Sequence, residues 1–280
     1  SHYMPDLFGR WDAYNRIGTR LNWMIATNLG RPILRRMRAS NGRNWRTAAN
    51  QAGPQPAIIA ASPLLVPPAA DWPQGTYQTG YLAMPRLPML PPSELVDFLG
   101  TGPKPIFVGF GSLSGVSGRH GGDVELLADS ARIAHRRVVT TVGPGQRIGL
   151  VDDRVLLIEP IPHNWLLPRM AGMIHHGGAG STHEGLRAGL PSMAVPFEVD
   201  QPYHAERLHS LGVGPSPLPV ERLTPRSLAR AMRELTSGRY DERAALIGVQ
   251  ARAEDGVGAT IKVLARLGLI PKAALEGSGP

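Results

Sequence analysis

A run of histidines, glycines and small polar residues reads Ile174-His-His-Gly-Gly-Ala-Gly-Ser-Thr-His-Glu184. The four small residues at 177–180 let the backbone approach an anion closely, and a helix starting behind them aims unpaired N–H groups and a positive dipole at it. His176 and Ser181 can add side-chain donors to the same oxygens. The pattern predicts a phosphate or diphosphate site. The alternative is a plain strand-to-helix turn in which Ser181 or Thr182 caps the helix.

Other chemistries are excluded by what the sequence lacks. Without any cysteine, disulfides, cysteine zinc sites, iron–sulfur clusters and thiol nucleophiles are ruled out. Lys104 is not part of a P-loop, and Gly109-Phe-Gly-Ser-Leu-Ser114 lacks the third glycine of the dinucleotide fingerprint. His183-Glu184 is not followed by the second histidine of a zinc protease, and the adjacent His175 and His176 point in different directions if a strand ends there. We expect no metal site.

The sequence pattern after Pro105 is typical of an α/β protein. Overall, 42% of residues are hydrophobic and 19% are charged, which fits a folded globular chain. From Pro105, short apolar stretches alternate with amphipathic ones, typical of a doubly wound parallel sheet covered on both faces, whose ligands bind beyond the carboxyl ends of the strands. The expected strands are Ile106–Phe110, Val138–Val142, Val155–Ile158, Met173–His175 and Ser192–Val195, and the expected helices are Val124–Arg136, Gly180–Ala188, Gln201–Leu211, Thr224–Thr236 and Asp241–Leu267.

The first 105 residues are organised differently. Leu7–Arg38 predicts one long amphipathic helix or two shorter ones, and Ala57–Ala61 and Thr76–Tyr81 predict short strands. Met84–Pro105 contains six prolines, a linker composition, with Glu94–Leu99 helical inside it. We therefore expect a remnant of an N-terminal domain at residues 1–83, a linker at 84–105 and a C-terminal domain at 106–280.

The net charge of +8 is concentrated at the start of the chain. Residues 1–50 hold nine arginines and two aspartates, so the rest is nearly neutral. Such an arm suits an anionic membrane surface, nucleic acid or only a solvated helix face, and its aromatic residues at helical spacing favour burial over base stacking. No apolar run reaches the roughly 18 residues of a membrane span, and Ser1–Arg10 lacks a secretory signal. We expect a cytoplasmic protein whose arm could contact the inner membrane face, and we do not expect a nucleic-acid partner.

Five motifs follow one another in a fixed order: Pro160–Arg169, His175–Ser181, Gly189–Pro191, Val195-Pro196 and Asp200–Tyr203. Together they resemble the nucleotide-sugar signature of the family 1 glycosyltransferases, most closely the bacterial antibiotic, glycolipid and sterol branch. Gly109–Ser112 is similar to the family's first strand-end loop, and the end of its N-terminal domain is resembled by Ser62-Pro63, Asp71–Pro73 and Thr79–Tyr81. The resemblance spans nearly the whole chain. It implies a GT-B fold, with the closing part of an N-terminal α/β domain ahead of a doubly wound C-terminal domain.

The resemblance also implies a role for each matched position. The diphosphate would be held by Ser112, His176, Gly178, Ala179, Gly180 and Ser181, the base and ribose by Ile161, His163 and Glu184, and the donor sugar by Asp200 and Gln201. No metal or cofactor is required if the helix start and the histidine stabilise the leaving diphosphate.

Most of these positions also have a structural interpretation. Glu184 is favoured by the helix dipole in a first turn, Asp200 is a good N-cap, His163 could be a packing residue, and we expect His175 to be a satisfied structural histidine. Pro160 stands where the plant branch has a base-stacking tryptophan, so the resemblance does not choose between uracil and thymine.

The activity implied is an inverting, metal-independent transfer of a hexose from a UDP- or dTDP-sugar to a hydroxyl of a lipophilic acceptor, such as a glycolipid, sterol, polyketide or antibiotic aglycone. The family's general base, usually a histidine near the N-terminus, has no matching position here, which leaves open whether this chain alone is active. Two alternatives also stay open. They are a non-catalytic nucleotide-sugar-binding chain and a sugar-nucleotide epimerase of the same architecture.

Overall fold

The computed structural model describes residues 56–85, 88–110 and 124–271. The chain forms two compact units, the first from residues 1–59 and 68–77 and the second from residues 60–67 and 78–280. The predicted helix at Leu7–Arg38 and the candidate phosphate ligand Ser112 lie outside the described residues. The domain limits expected at residues 83 and 105 stay a prediction.

A two-stranded sheet lies near the start of the described residues. In it β1 (Ala57–Ile59) pairs with β2 (Thr76–Gln78), and the Ala57 N–H donates to the Gly75 carbonyl at 3.0 Å. Both strands are shorter than predicted. β2 ends before Gly80, whose φ of 89° is incompatible with an extended strand.

The second unit is built on a six-stranded sheet, and the predicted α/β fold class is confirmed. Its five parallel strands, numbered in chain order, are arranged 3-2-1-4-5, the order of the nucleotide-binding doubly wound folds. A two-residue edge strand, which the sequence did not predict, runs antiparallel. The sheet order is β5 (Gly149–Leu150), β6 (Val155–Ile158), β4 (Val138–Thr141), β3 (Ile106–Gly109), β7 (Gly172–His175) and β8 (Ser192–Ala194).

Apolar cores lie on both faces of this sheet, as the continuous apolar strands predicted. Along β3, Ile106 and Val108 pack in one core with Leu127, while Phe107 packs in the opposite core with Leu95. The helices are α1 (Ser93–Gly100), α2 (Val124–Ala134), α3 (His163–Leu166), α4 (Ala179–Ala188), α5 (Gln201–Ser210), α6 (Pro225–Leu235), α7 (Asp241–Ala253) and α8 (Gly256–Arg266), with single 3-10 turns at Leu167–Arg169 and Val220–Arg222.

The helical segment expected at Asp241–Leu267 is interrupted. α7 ends at Ala253 and α8 begins at Gly256. The Asp255 carboxylate accepts a hydrogen bond from the Gly258 N–H at 2.8 Å and caps the new helix. A Cβ on Gly256 would lie 2.2 Å from the Tyr81 carbonyl oxygen, so only glycine lets residues 80–81 pack against this break.

Candidate functional site

The glycine run lies at the point where the order of the parallel strands reverses. β3 and β7 are neighbours in the sheet, with Gly109 paired to His175, and their chain continuations lead to opposite sides. Ligands of doubly wound sheets bind in the crevice outside the carboxyl ends of such a strand pair. His176 and the glycines follow β7 directly and therefore stand at this crevice.

Two glycines of the turn are required by its geometry. Gly177 has a φ of 88°, and a Cβ there would lie 2.9 Å from the Gln201 carbonyl oxygen. A Cβ on Gly178 would lie 2.3 Å from Nε2 of His176. The turn is therefore packed between the histidine ring and the start of α5.

The N-cap residue of α4 is Gly178, which has no side chain with which to cap the helix, and no side-chain cap hydrogen bond is formed there among the described residues. The alternative in which Thr182 caps the helix is wrong, because its hydroxyl donates to the Gly178 carbonyl at 2.8 Å and does not accept from an N–H. The first-turn N–H groups and the positive end of the helix dipole are therefore available to an anion.

His176 is a half-buried side chain at the edge of this turn. Burial lowers its pKa, while the Gly109 carbonyl and the Asp200 carboxylate oppose that shift. Its Nδ1 has no hydrogen-bond partner within the described part of the chain. A neutral imidazole has one N–H donor, for which an incoming anionic oxygen would compete with the Gly109 carbonyl.

Two other histidines, His175 and His183, contact the backbone of the glycine turn. His175 is fully buried, burial lowers its pKa to about 3, and its Nδ1 accepts from the Gly177 N–H at 3.0 Å. Its Nε2 has no partner among the described residues, so the expected satisfied histidine is satisfied at one nitrogen. His183 accepts from the Ser62 N–H at 3.0 Å and contacts the Ala179 carbonyl at 2.7 Å, and burial lowers its pKa to about 4.

A cavity of about 450 Å³ gathers several of the candidate residues. Ile161, His163, Gly180, Ser181 and Glu184 all line it, together with Tyr81, Met84 and Pro85. The first five come from the loop after β6, from α3 and from α4, so only the fold brings them together. Sequence analysis did not assign a binding role to Tyr81, although the Thr79-Gly-Tyr81 motif marked its position.

His163 has both of the roles considered for it. Its ring meets Phe107 edge-on, with 5.4 Å between the centroids, which is a packing contact in the core. The same side chain lines the cavity. Burial lowers its pKa, and the nearby Glu184 carboxylate partly offsets this. Packing thus holds the ring in place at the cavity wall.

Asp200 is not acting as a cap. It occupies the N-cap position of α5, yet its side chain makes no capping hydrogen bond and is one-third exposed, with its Oδ2 3.7 Å from Nδ1 of His204. That nitrogen lies 2.8 Å from the Gly177 carbonyl. The structural alternative for Asp200 is therefore wrong, and the carboxylate is open to a ligand beside the glycine turn.

Gln201 is more deeply placed than a sugar-binding residue needs to be. It is 2% exposed, and its Oε1 accepts from the Phe197 N–H at 2.8 Å and the Glu198 N–H at 3.3 Å. These bonds hold the tight turn before α5, in which Val199 has a φ of 60° and is 80% exposed. A β-branched residue in the left-handed region is strained. The side-chain oxygen of Gln201 thus holds the turn that precedes Asp200. Any contact with the sugar is left to the side-chain amide nitrogen.

We expect Gly180→Ala to raise the stability of the protein and at the same time to weaken nucleotide binding. A Cβ there meets no atom within 4 Å, and alanine favours a helix over glycine by about 0.5–1 kcal/mol, so the free energy of unfolding in urea should rise. The exposed methyl group stands at the helix start, where a diphosphate would approach. Calorimetric titration with UDP should show weaker binding, and unchanged UDP affinity would contradict close approach of the anion to this turn.

The described ranges contain no group of three or more histidine, aspartate or glutamate side chains that could hold a metal ion. No helix within them is both long and apolar enough to cross a membrane. The expected independence of metals stays a prediction.

The fold defines the class of protein. The structure resembles the crystal structure of the glycotransferase of kitacinnamycin with a TM-score of 0.61 and 20% sequence identity, over 86% of this chain and 66% of the other. That likeness shows the fold alone, and the fold is the GT-B fold of glycosyltransferases.

Sequence comparison finds similar proteins of the same kind. Residues 124–256 match the family described as Erythromycin biosynthesis protein CIII-like, C-terminal domain. The chain is 36% identical over 204 residues to sterol 3-beta-glucosyltransferase UGT80A2 of Arabidopsis thaliana, covering 72% of this chain and 32% of that protein. It is 35% identical over 205 residues to O-mycaminosyltylonolide 6-deoxyallosyltransferase of Streptomyces fradiae, covering 73% and 48%.

These findings confirm the resemblance drawn from the motifs. Residues 124–256 match an EryCIII-like C-terminal domain, and the chain is similar in sequence to sterol and antibiotic glycosyltransferases. Such relatives do not favour the epimerase alternative. The chain spans less than half the length of either curated relative.

Proposed function

We propose that residues 106–280 bind the donor of an inverting, metal-independent glycosyltransferase, which moves a hexose from a UDP- or dTDP-sugar to a hydroxyl of a lipophilic acceptor. The proposal for the acceptor draws on the relatives, whose names specify a sterol and a tylonolide. The sequence supplies no position for the general base, so for this chain the proposal concerns donor binding.

One observation carries the donor proposal. The cavity lined by Ile161, His163 and Glu184 also includes Gly180 and Ser181, which belong to the first turn of α4. A nucleoside in this cavity therefore places its diphosphate at the helix N-terminus. Asp200 lies beyond the same turn, where the sugar would follow.

The chemistry follows from this order of contacts. When the acceptor oxygen attacks the anomeric carbon, its hydroxyl proton passes to a general base that is not assigned in this chain. The bond from the anomeric carbon to the diphosphate breaks, and negative charge develops on the leaving oxygen. The first-turn N–H groups of α4 and the N–H of His176 would stabilise that charge. Because these donors are already in place before the reaction, the leaving diphosphate can be stabilised without a metal cation. The Asp200 carboxylate accepts hydrogen bonds from sugar hydroxyls and orients the anomeric carbon.

Calorimetric titration of the chain with UDP, dTDP and ADP, in the presence of EDTA, tests this function. We expect the two pyrimidine nucleotides to bind and ADP to bind more weakly. His176→Ala should lower the affinity for UDP by about 10- to 100-fold, because a hydrogen bond to a charged group is lost. The matched control is His209→Ala, since His209 is an exposed histidine on α5 and should leave UDP affinity unchanged.

Two results would contradict the proposal. Absence of binding to any of the three nucleotides would show that the cavity and turn do not form a nucleotide site in this chain. Binding of UDP that requires added Mg²⁺ would replace the metal-independent proposal with a metal-bridged diphosphate.

A further inference from the structure

We propose that Tyr81 is a positioning residue that holds the Glu184 carboxylate in the orientation needed to bind the ribose hydroxyls of the donor. This inference rests on the proposed function, because it concerns the same nucleotide site. Tyr81 itself is not assigned a contact with the donor. It acts on the donor indirectly, through the Glu184 carboxylate, which lines the same cavity.

The Tyr81 ring is fixed by stacking. It lies parallel to the ring of His183, with centroids 4.4 Å apart and an angle of 7° between the planes. Its backbone is fixed as well, because Gly256 packs directly against the Tyr81 carbonyl. The phenol therefore has little freedom to leave its position above α4.

The surface under this ring is rigid too. Both nitrogens of His183 are engaged, Nε2 by the Ser62 N–H at 3.0 Å and Nδ1 at the Ala179 carbonyl at 2.7 Å. The Ser62 hydroxyl in turn donates to Oε1 of Glu254 at 2.6 Å. Since an N–H donor at Nε2 requires that nitrogen to be unprotonated, Nδ1 carries the proton and the ring is held in one tautomer.

The phenol and the Glu184 carboxylate meet at the wall between two cavities. Both side chains line the candidate nucleotide cavity and also an adjoining polar cavity of about 550 Å³. They lie close enough for the Glu184 carboxylate to act on the pKa of the phenol. Burial and the Glu184 charge raise the pKa of Tyr81 to about 12, so its hydroxyl remains a donor at neutral pH.

The competing cation on the same helix face is engaged elsewhere. Arg187 lies one turn after Glu184, but its Nη1 donates to the Ala251 carbonyl at 2.7 Å, toward α7. In the proposed arrangement the tyrosine hydroxyl orients the carboxylate, while Arg187, which lines the same polar cavity, contributes its charge. With one oxygen held by the phenol, the other lone pairs remain available to the two ribose hydroxyls.

The test compares two nucleotides that differ only in these hydroxyls. UDP and 2′,3′-dideoxyuridine diphosphate are titrated into the full chain, into Tyr81→Phe, into Glu184→Gln and into the double variant. Phenylalanine keeps the stacked ring and removes only the hydroxyl. We expect Tyr81→Phe to weaken UDP binding about 5- to 20-fold and to leave dideoxy binding unchanged. In the Glu184→Gln background the same substitution should have no further effect on UDP.

Tyr240→Phe is the matched control. It also removes a hydroxyl that donates to a glutamate, in this case Oε1 of Glu234 at 3.0 Å, and should leave both affinities unchanged. Equal weakening of UDP and dideoxy binding by Tyr81→Phe would overturn the inference, since it would indicate a general disturbance of the cavity. Unchanged UDP affinity would also overturn it.

The failure of this inference can be distinguished from the failure of the proposed function. If the unmodified chain binds UDP far better than the dideoxy nucleotide while Tyr81→Phe changes nothing, the donor site stands and the positioning role is wrong. If the chain binds the two nucleotides equally, Glu184 does not read the ribose and the inference is wrong at that step. If it binds neither, both proposals are wrong.

Discussion

Lowering the pH from 7.5 to 5 is expected to reduce the free energy of unfolding by about 4 kcal/mol through two histidines alone. The folded protein holds the pKa of His175 at about 3 and that of His183 at about 4, whereas an unfolded chain binds protons with a pKa near 6.5. Below pH 6.5 the unfolded state takes up protons that the folded state excludes. Stability is therefore complete above that pH and is lost progressively as the pH falls toward 4.

Such a loss is large for a protein of this size, because the total is typically about 5–15 kcal/mol. Urea unfolding at pH 7.5, 6 and 5 measures it. His183→Gln should flatten the pH dependence by about half, since one of the two excluded protons no longer contributes. His209→Gln, at an exposed position, should leave the slope unchanged.

A stability that does not change between pH 7.5 and 5 would show that these two rings accept protons in the folded state. That result would also remove the basis for the single tautomer assigned to His183, because its Nε2 could then no longer accept from Ser62.

Gly177→Ala is expected to lower the free energy of unfolding by about 2–5 kcal/mol and to abolish UDP binding. Two effects add. An alanine at a φ of 88° is strained by about 1–2 kcal/mol, and its Cβ would press on the Gln201 carbonyl oxygen, 2.9 Å away in the present geometry. Relief of that contact requires a shift at the start of α5, and Asp200 moves with it. Overpacking of this kind typically costs about 1–3 kcal/mol.

Gly145→Ala separates the two effects. Gly145 has a φ of 77°, and a Cβ there meets no atom within 4 Å, so the substitution introduces the backbone strain without the contact. We expect Gly145→Ala to lower the free energy of unfolding by about 1 kcal/mol and to leave UDP affinity unchanged. If urea unfolding shows the same loss of the free energy of unfolding for Gly177→Ala and Gly145→Ala, the glycine turn can accommodate the added methyl group without a shift of α5.

Much of the parallel sheet was predictable from local sequence. The continuous apolar strands indicated burial on both faces, and β6 has its predicted bounds. Thr224 and Pro225 marked the start of α6, where the threonine forms a capping box. These features depend on neighbours within a few residues, which is why a linear pattern reveals them.

The interruption between α7 and α8 was missed although the sequence carries a local signal for it, because Asp255-Gly256 is a turn dipeptide and aspartate is a preferred N-cap. What the sequence does not show is that Gly256 receives the backbone of Tyr81, a residue far away in the chain. The edge strand β5 also escaped prediction, because two residues carry no periodic pattern.

In the candidate site, too, features set by adjacent residues were predictable and features set by distant residues were not. The sequence by itself determined the glycine turn, its place between a strand and a helix, and the residue types that suit a diphosphate, because these depend on adjacent positions. Only the tertiary structure decided that the Asp200 carboxylate is partly exposed beside His204 while the Gln201 oxygen is engaged, that His183 is held by Ser62, and that Tyr81 and Glu184 line the same cavity. Those relations join segments distant along the chain, and a side chain's partners there are set by packing and burial, which no local pattern encodes.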